Sequence, residues 1–412
     1  MNQLSRQGRN PKALNILRHD LLNRNYILAW FVALLLFMAF DSMIPVLPVY
    51  MEMHEGVSGA AGLPLAAITL GALLIRPFAG WALDAYGRKK LFWGGILLFL
   101  LPAICYIGMI PAALLIALRV IQGIGFGISN TAIFTLATDI IPKKQMGMGM
   151  GYFTATMSLS VAIAPTTTSW MLGRHVSYPV IFTVSALFIV VAFILALLIR
   201  YPAYEKKEVK PHFVFFTRTA LKPALVTLFV AINFSSVISF VPVYATMQGI
   251  LLTGIFFTAE SITSLVLRPV SGMLVDKKKE KGFDLTVLVG AVLVIVAILI
   301  LAQLSSLASL IIGGIFFGAG FAFLQPTMLA LSVKDATPEN RGAANATYWT
   351  AFDSGVFLGS IIWGPIAALL GYRTMFHLAL IPVGLALLIY FSQRVFPFYT
   401  RAKEPKSNVD SA

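Results

Sequence analysis

Apolar residues occur along the chain in long runs separated by short polar stretches. Most runs hold about 20 residues, the length at which a helix crosses the hydrocarbon core of a bilayer. They predict twelve membrane-spanning helices, over residues 26–50, 60–83, 90–109, 111–138, 146–172, 178–199, 220–245, 251–275, 284–304, 306–333, 342–370 and 374–396. The pattern therefore predicts an all-α polytopic membrane protein.

The composition supports the same class of protein. The 412 residues are 58% hydrophobic and 12% charged, with a mean hydropathy of +0.85, whereas an average soluble domain is about 45–50% apolar and about 25% charged. The single cysteine, Cys105, lies inside an apolar run, and the five histidines are scattered without ligand spacing. We therefore expect no disulfide framework, no metal site and no cofactor.

The positions of the basic residues indicate how the net charge of +14 relates to membrane topology. If the N-terminus is cytoplasmic, 26 of the 31 lysine and arginine residues lie on the cytoplasmic side, and only Arg174 and Arg373 lie on the other. Three more, Arg76, Arg119 and Arg268, fall inside apolar runs. This asymmetry follows the positive-inside rule. It predicts a bacterial inner or plasma membrane protein with both termini cytoplasmic, which contacts anionic lipids and not nucleic acid.

Three short motifs recur in order, at offsets of 194, 192 and 196 residues. They are Pro48-Val49-Tyr50 with Pro242-Val243-Tyr244, Arg76-Pro77-x-x-Gly80-x-x-x-Asp84 with Arg268-Pro269-x-x-Gly272-x-x-x-Asp276, and Asp139-x-x-Pro142 with Asp335-x-x-Pro338. Such repetition predicts two related six-helix bundles with pseudo-twofold symmetry. We place the bundles at 26–199 and 220–396, with cytoplasmic segments at 1–25, 200–219 and 397–412.

Two motifs resemble those of a known transporter family. The stretch from Gly80 to Lys90, GWALDAYGRKK, resembles the loop signature Gly-x-Leu-x-Asp-x-x-Gly-Arg-Lys of the major facilitator superfamily. Arg119-x-x-Gln122-Gly123-x-Gly125 resembles the helix 4 motif of its proton-coupled members. With Arg76-Pro77 before the signature, the chain most resembles the twelve-helix drug:proton antiporters. That branch usually carries Gly-Pro-x-x-Gly-Gly in helix 5, whereas this chain has Ala164-Pro165-Thr166-Thr167-Thr168.

The loop signature places an acid, a base and a second acid at one membrane surface. These residues are Asp84, Arg88 and Asp139, while Gly80 and Gly87 permit close helix approach and a tight turn. The resemblance implies that the three charges form a network that holds the outward-facing state. The alternative is that they are solvated loop charges.

Asp41 and Arg119 are charges that fall at comparable depth inside apolar runs. Each costs roughly 2.5–3.5 kcal/mol on insertion scales, so such residues usually face a cavity or a partner. A carboxylate that loses its cationic partner in a dry cavity favours the protonated form, which would make the pair a proton switch. The resemblance implies that Asp41 and Arg119 exchange protons for substrate. The alternative is a static ion pair that fixes helix packing.

Two more acids, Glu260 and Asp353, lie inside apolar runs of the second half. A carboxylate among aromatic residues suits a lipophilic cation, so both are candidates for a substrate cavity, together with Gln122, Asn233 and Trp349. Glu260 could equally form a hydrogen bond with a neighbouring helix.

These features together predict a secondary active transporter that works by alternating access. We expect a monomer that uses the proton gradient to export small amphipathic compounds, as multidrug exporters do. The alternatives are a proton symporter or uniporter, or a dedicated exporter of a polar metabolite or metallophore. A membrane enzyme or receptor is disfavoured because the sequence has no nucleotide-binding loop, no His-Glu-x-x-His and no Gly-x-Ser-x-Gly motif.

Overall fold

The computed structural model describes residues 23–142, 146–201, 220–278, 280–334 and 341–395. These residues form twelve α-helices and no β-strand, so the prediction of an all-α fold is confirmed. The helices are α1 Arg24–Val49, α2 Leu63–Tyr86, α3 Arg88–Tyr106, α4 Ala112–Ile140, α5 Met146–Gly173, α6 Tyr178–Leu197, α7 Leu221–Met247, α8 Ile255–Lys278, α9 Glu280–Ala302, α10 Leu307–Lys334, α11 Arg341–Leu378 and α12 Leu380–Val395.

Many of these helices are long and apolar enough to cross a membrane. Within the described residues, 8 segments meet that condition by length and composition, and one of them spans both α11 and α12. The helices α2, α5 and α8 are not among the 8. For α8, the charged residues Glu260, Arg268 and Asp276 help to explain why the helix does not meet the condition. The chain is therefore a multi-pass membrane protein, although these criteria alone do not reach the twelve predicted crossings.

The helices form two groups with separate hydrophobic cores. One buried cluster comes almost wholly from α7 to α12 and contains the fully buried rings of Phe240, Phe256, Phe317 and Phe376. Two other clusters come from α1 to α6. The fold is thus two six-helix bundles, as the internal repeat predicts. The predicted linker, 200–219, and the two terminal segments lie almost entirely outside the described residues.

Two sharp turns depend on glycine. Gly87 is the single residue between α2 and α3, and its φ is +86°. Gly371 interrupts the helical backbone within α11 with a φ of +79°. Residues other than glycine rarely adopt this left-handed region. The tight turn expected at Gly87 is therefore present.

Backbone-to-backbone packing joins α2 and α4 in the first bundle. A Cβ atom placed on Gly123 of α4 would lie 2.1 Å from the carbonyl oxygen of Ile68, and one on Gly71 of α2 would lie 2.1 Å from that of Val120. Small residues allow helices to approach this closely inside a membrane. The contact sets the position of Arg119, which lies one turn before Gly123.

We predict that Gly123→Ala lowers the melting temperature of the detergent-solubilised protein, because overpacking a tight contact costs about 1–3 kcal/mol. The matched control is Gly94→Ala, since a Cβ at this helical glycine meets nothing within 4 Å. We expect the control to melt at or slightly above the parent temperature because alanine favours the helix. Equal melting temperatures for the two variants would show that α2 and α4 do not pack as described.

Candidate functional site

Two faces of the molecule serve as reference points below. The terminal face carries Asn23 at the start of α1, the α2–α3 turn at Gly87 and the end of α6. The opposite face carries the π-helical turn Tyr50–His54 and the start of α2. Helices α5 and α11 run from the terminal face to the opposite face, and α2 and α8 run back.

Asp41 is a buried carboxylate near the middle of α1, and only 5% of its surface is exposed. Its Oδ2 accepts a hydrogen bond of 2.6 Å from the Ser160 hydroxyl on α5. Asp41 therefore contacts α5, and α5 in turn packs against α8 of the second bundle.

Arg119 is a buried cation on α4, 3% exposed, held by neutral groups. Its Nη1 donates to Gln122 Oε1 at 2.7 Å, and its Nε donates to the Pro64 carbonyl of α2 at 3.4 Å. Gln122 Oε1 also accepts from the Tyr106 hydroxyl at 3.1 Å, and Gln122 Nε2 donates to the Phe99 carbonyl at 3.3 Å. Arg119 and Gln122 thus connect α2, α3 and α4.

The structure places Asp41 and Arg119 in different surroundings. Among the described residues, the hydrogen-bond partner of Asp41 is on α5, and the partners of Arg119 are on α2 and α4. No ion pair joins the two in this part of the chain. Depth along a helix can be read from the sequence, but the direction in which a side chain points about the helix axis cannot.

An ion pair joins the two bundles between α2 and α11. Arg76 Nε lies 3.2 Å from Asp353 Oδ2, and the two side chains are 30% and 10% exposed. Asp353, a predicted cavity residue, therefore lies at the interface between the bundles and contacts a cation there. Arg76 was not among the predicted site residues, although its place inside an apolar run was a signal for it.

The bundles also meet at the opposite face. A Cβ on Gly62, just before α2, would lie 1.9 Å from the Ser360 carbonyl oxygen of α11. Gly59 has similar contact with Gly364. The Tyr372 hydroxyl donates to the Glu52 carboxylate. These contacts bring the start of α2 against the far end of α11.

Hydroxyl groups join α5 to α8 along what we call the α5–α8 seam. The Ser261 hydroxyl donates to the Ser158 carbonyl at 2.6 Å, and the Thr258 hydroxyl donates to the Ala162 carbonyl at 2.5 Å. Nearer the opposite face, the Thr166 hydroxyl donates to the Gly254 carbonyl at 2.7 Å, and the hydroxyls of Ser169 and Thr253 lie 3.0 Å apart. Sequence reasoning missed this seam. The sequence feature that could have indicated the seam was the Thr-rich stretch 166–168, where drug antiporters typically have glycines.

The predicted gating charges are brought together in part. Arg88, the first residue of α3, forms an ion pair with Asp139 near the end of α4. Both residues belong to the first bundle, so this pair joins α3 to α4. Asp84 and Gly80 belong to α2, but the side chain of Asp84 lies outside the described part of the structure.

The remaining cavity candidates have contacts within the second bundle. The Asn233 side chain donates to the Ala379 carbonyl at 2.8 Å. Trp349 packs edge-on against Phe352, with ring centroids 5.8 Å apart. The Glu260 backbone lies against Gly318 of α10, where a Cβ would be 2.2 Å from the backbone carbonyl oxygen of Glu260. In the described part of the chain, no three His, Cys, Asp or Glu residues are placed to hold a metal ion.

The structure defines a multi-pass membrane protein with charges buried between its helices, and sequence comparison assigns its family. The sequence model of the Major Facilitator Superfamily matches residues 29–360. The chain therefore belongs to this superfamily. It is a transporter of small molecules and not an enzyme.

Three known proteins illustrate the similarity. The quinolone resistance protein NorA of Staphylococcus aureus is 31% identical over 125 residues, which cover 30% of this chain and 32% of NorA. The multidrug resistance protein MdtG of Escherichia coli is 22% identical over 380 residues, 86% of this chain and 90% of MdtG. The crystal structure of the nucleoside transporter NupG superposes with a TM-score of 0.74 at 13% identity, over 92% of this chain and 100% of NupG. The first of these matches spans about a third of the relative, and the last shows the fold alone.

We predict that Arg76→Asp and Asp353→Arg each impair transport, and that the double variant recovers part of it. Each single change places two like charges at the bundle interface, whereas the exchange restores an opposite pair. The measurement is transport by proteoliposomes, alongside the amount of folded protein in the membrane. If the double variant is no better than the worse single variant, the ion pair does not matter for transport.

Proposed function

We propose that the protein is a proton-coupled exporter of small amphipathic compounds that works by alternating access. The observation that carries the proposal is the environment of Asp41. This carboxylate is buried, receives a hydroxyl hydrogen bond and has no cationic partner among the described residues. A charged carboxylate in such surroundings is costly, and uptake of a proton removes that cost. Asp41 is therefore the proposed proton carrier.

Arg119 is the proposed partner of Asp41 in the other half of the cycle. Among the described residues it hydrogen-bonds to neutral groups on α2 and α4, so its charge is available to a carboxylate. Pairing favours the ionised acid and separation favours the protonated one. A change in helix position that alternately joins and separates the two would therefore bind and release one proton.

The contacts between the bundles support alternating access. The Arg76–Asp353 pair, the packing of Gly62 on Ser360 and the α5–α8 seam all join one bundle to the other. Rocking of the bundles about a central site would break and remake these contacts. Arg88, Asp139 and Asp84 are the proposed charge network that stabilises one of the two states from the terminal face.

The relatives and the acids of the second bundle favour amphipathic or cationic substrates. MdtG, a multidrug resistance protein, matches most of the chain, whereas NupG shares only the fold. Asp353 and Glu260 lie on the same bundle as a group of rings that includes Phe234, Phe352 and Trp349. A lipophilic cation binds favourably to such a combination. Symport or uniport of a polar metabolite, or export of a metallophore, is the competing proposal.

We predict that Asp41→Asn abolishes uphill export while substrate binding persists, because the amide fills the same space but cannot exchange a proton. The assay is substrate-induced proton movement in proteoliposomes with an imposed pH gradient. The panel holds a fluorescent lipophilic cation, a quinolone and a nucleoside. The control is Asp410→Asn in the C-terminal segment.

The panel and the variant test different parts of the proposal. Proton movement with the cation or the quinolone supports drug export, and movement with the nucleoside alone contradicts it. Asp41→Asn protein that still drives uphill exchange at the parent stoichiometry would show that the proton binds elsewhere.

The proposed location is the cell membrane, with the terminal face in the cytoplasm and the chain acting as a monomer in contact with anionic lipids. The basic residues Arg88, Lys89 and Lys90, which follow Gly87 at the terminal face, support this orientation. We predict that a reporter fused after Lys206 or at the C-terminus reads cytoplasmic, and one inserted within 51–59 reads external. An external reading from the reporter at Lys206 would show that the protein has the opposite orientation.

A further inference from the structure

Ser160 lies between the proposed proton carrier and the second bundle. Its hydroxyl donates to Asp41 on α1 at 2.6 Å, and its side chain is fully buried. Two residues to either side, the carbonyls of Ser158 and Ala162 accept hydrogen bonds from Ser261 and Thr258 of α8. A stretch of five residues in α5, 158–162, therefore contains both the contact with the buried acid and contacts of the α5–α8 seam.

The strength of the Ser160 hydrogen bond depends on the charge of Asp41. A hydroxyl that donates to an ionised carboxylate forms a bond roughly twice as strong as one between neutral groups. A protonated carboxyl group is itself a donor and a weaker acceptor. The position of α5 against α1 is therefore stabilised more when Asp41 is ionised.

Few other charges face Asp41 from the helices around α1. Helices α5 and α6 carry no Asp, Glu, Lys, Arg or His residue within 146–173 and 178–197. The charged and histidine residues on the other elements that pack against α1, and on α8 beyond α5, are Glu52 and His54 on the π-helical turn, Arg76 and Asp84 on α2, Arg119 and Asp139 on α4, Lys222 on α7, and Glu260, Arg268, Asp276, Lys277 and Lys278 on α8. Of these, Glu260 is a carboxylate on α8, the helix that α5 contacts along the seam. It lies next to Ser261 of the seam, so it belongs to the same region.

We propose that Ser160 is the positioning residue that couples the charge of Asp41 to the α5–α8 seam. The inference rests on the proposed function, in which Asp41 carries the proton. With Asp41 ionised, the bond from Ser160 holds α5 in the register at which Ser158 and Ala162 meet α8. Protonation of Asp41 weakens that bond, releases α5 and opens the seam.

The test measures the width of the seam as a function of pH. Spin labels are attached at Arg174→Cys and Gln248→Cys, two exposed positions at the opposite face, one just after α5 and the other just after α7 at the start of the connection to α8, in a Cys105→Ser background. Distances between the labels are measured by pulsed electron paramagnetic resonance in nanodiscs between about pH 5 and pH 9, a range that brackets neutral pH. No transported compound is needed.

The variants are Ser160→Ala, which removes the hydroxyl, and Ser160→Thr, which keeps it. The matched control is Thr156→Val, one turn away on α5. Thr156 is also fully buried, but its hydroxyl donates to the Phe153 carbonyl of its own helix at 2.7 Å. Asp41→Asn completes the set.

We expect the labels to move apart on acidification in the parent protein. In Ser160→Ala the labels stay at the wide distance over the whole pH range, because no hydroxyl remains to hold α5 against the ionised carboxylate. Ser160→Thr and Thr156→Val keep the parent midpoint. Asp41→Asn shows no transition.

Two contrary results separate this inference from the proposed function. A transition in Asp41→Asn like that of the parent, or no transition in the parent, overturns the role of Asp41 and with it the inference. A transition that Asp41→Asn removes but Ser160→Ala keeps, at the parent midpoint or a shifted one, overturns the role of Ser160 alone, and the role of Asp41 then stands.

Discussion

The cost of a charge inside an apolar helix is the constraint on which the rest of the structure depends. Water is not available to a charge at membrane depth, so each such group needs a partner from another helix. Arg76 and Asp353 meet this need with each other. Asp41 accepts a hydrogen bond from a hydroxyl group, and Arg119 donates hydrogen bonds to a side-chain amide oxygen and to a backbone carbonyl. The first pair joins the bundles, whereas Asp41 and Arg119 form no ion pair with each other in the described part of the chain, as the proposed proton exchange requires.

The packing of the helices puts these partners in place. Close contact of Gly123 with Ile68 brings α4 against α2, where Arg119 reaches the Pro64 carbonyl. Contact of Gly62 with Ser360 brings α2 against α11, the two helices that carry Arg76 and Asp353. Small residues therefore act on function indirectly, because they decide which polar side chains come within hydrogen-bonding distance.

Much of the fold could be predicted from the sequence, because runs of apolar residues report directly on helices and their ends. The turn at Gly87 and the closeness of Arg88 to Asp139 also followed from the order of residues along the chain. The partners of the buried charges could not be predicted in this way. The pairing of Arg76 with Asp353 joins residues 277 positions apart, and Ser160 looked like one hydroxyl among many in α5. Such contacts depend on the rotation of each helix about its axis, and the weak amphipathicity of membrane helices gives little information on that rotation.

The central claim is that Asp41 gains and loses a proton as the transporter changes state. Infrared difference spectroscopy of the reconstituted protein during a pH step tests it most directly, because a protonated carboxyl group has a carbonyl stretching band that the carboxylate lacks. If Asp41 carries the proton, the parent protein gains this band on acidification and Asp41→Asn loses the largest part of it. A band of parent intensity in Asp41→Asn would place the proton on another acid.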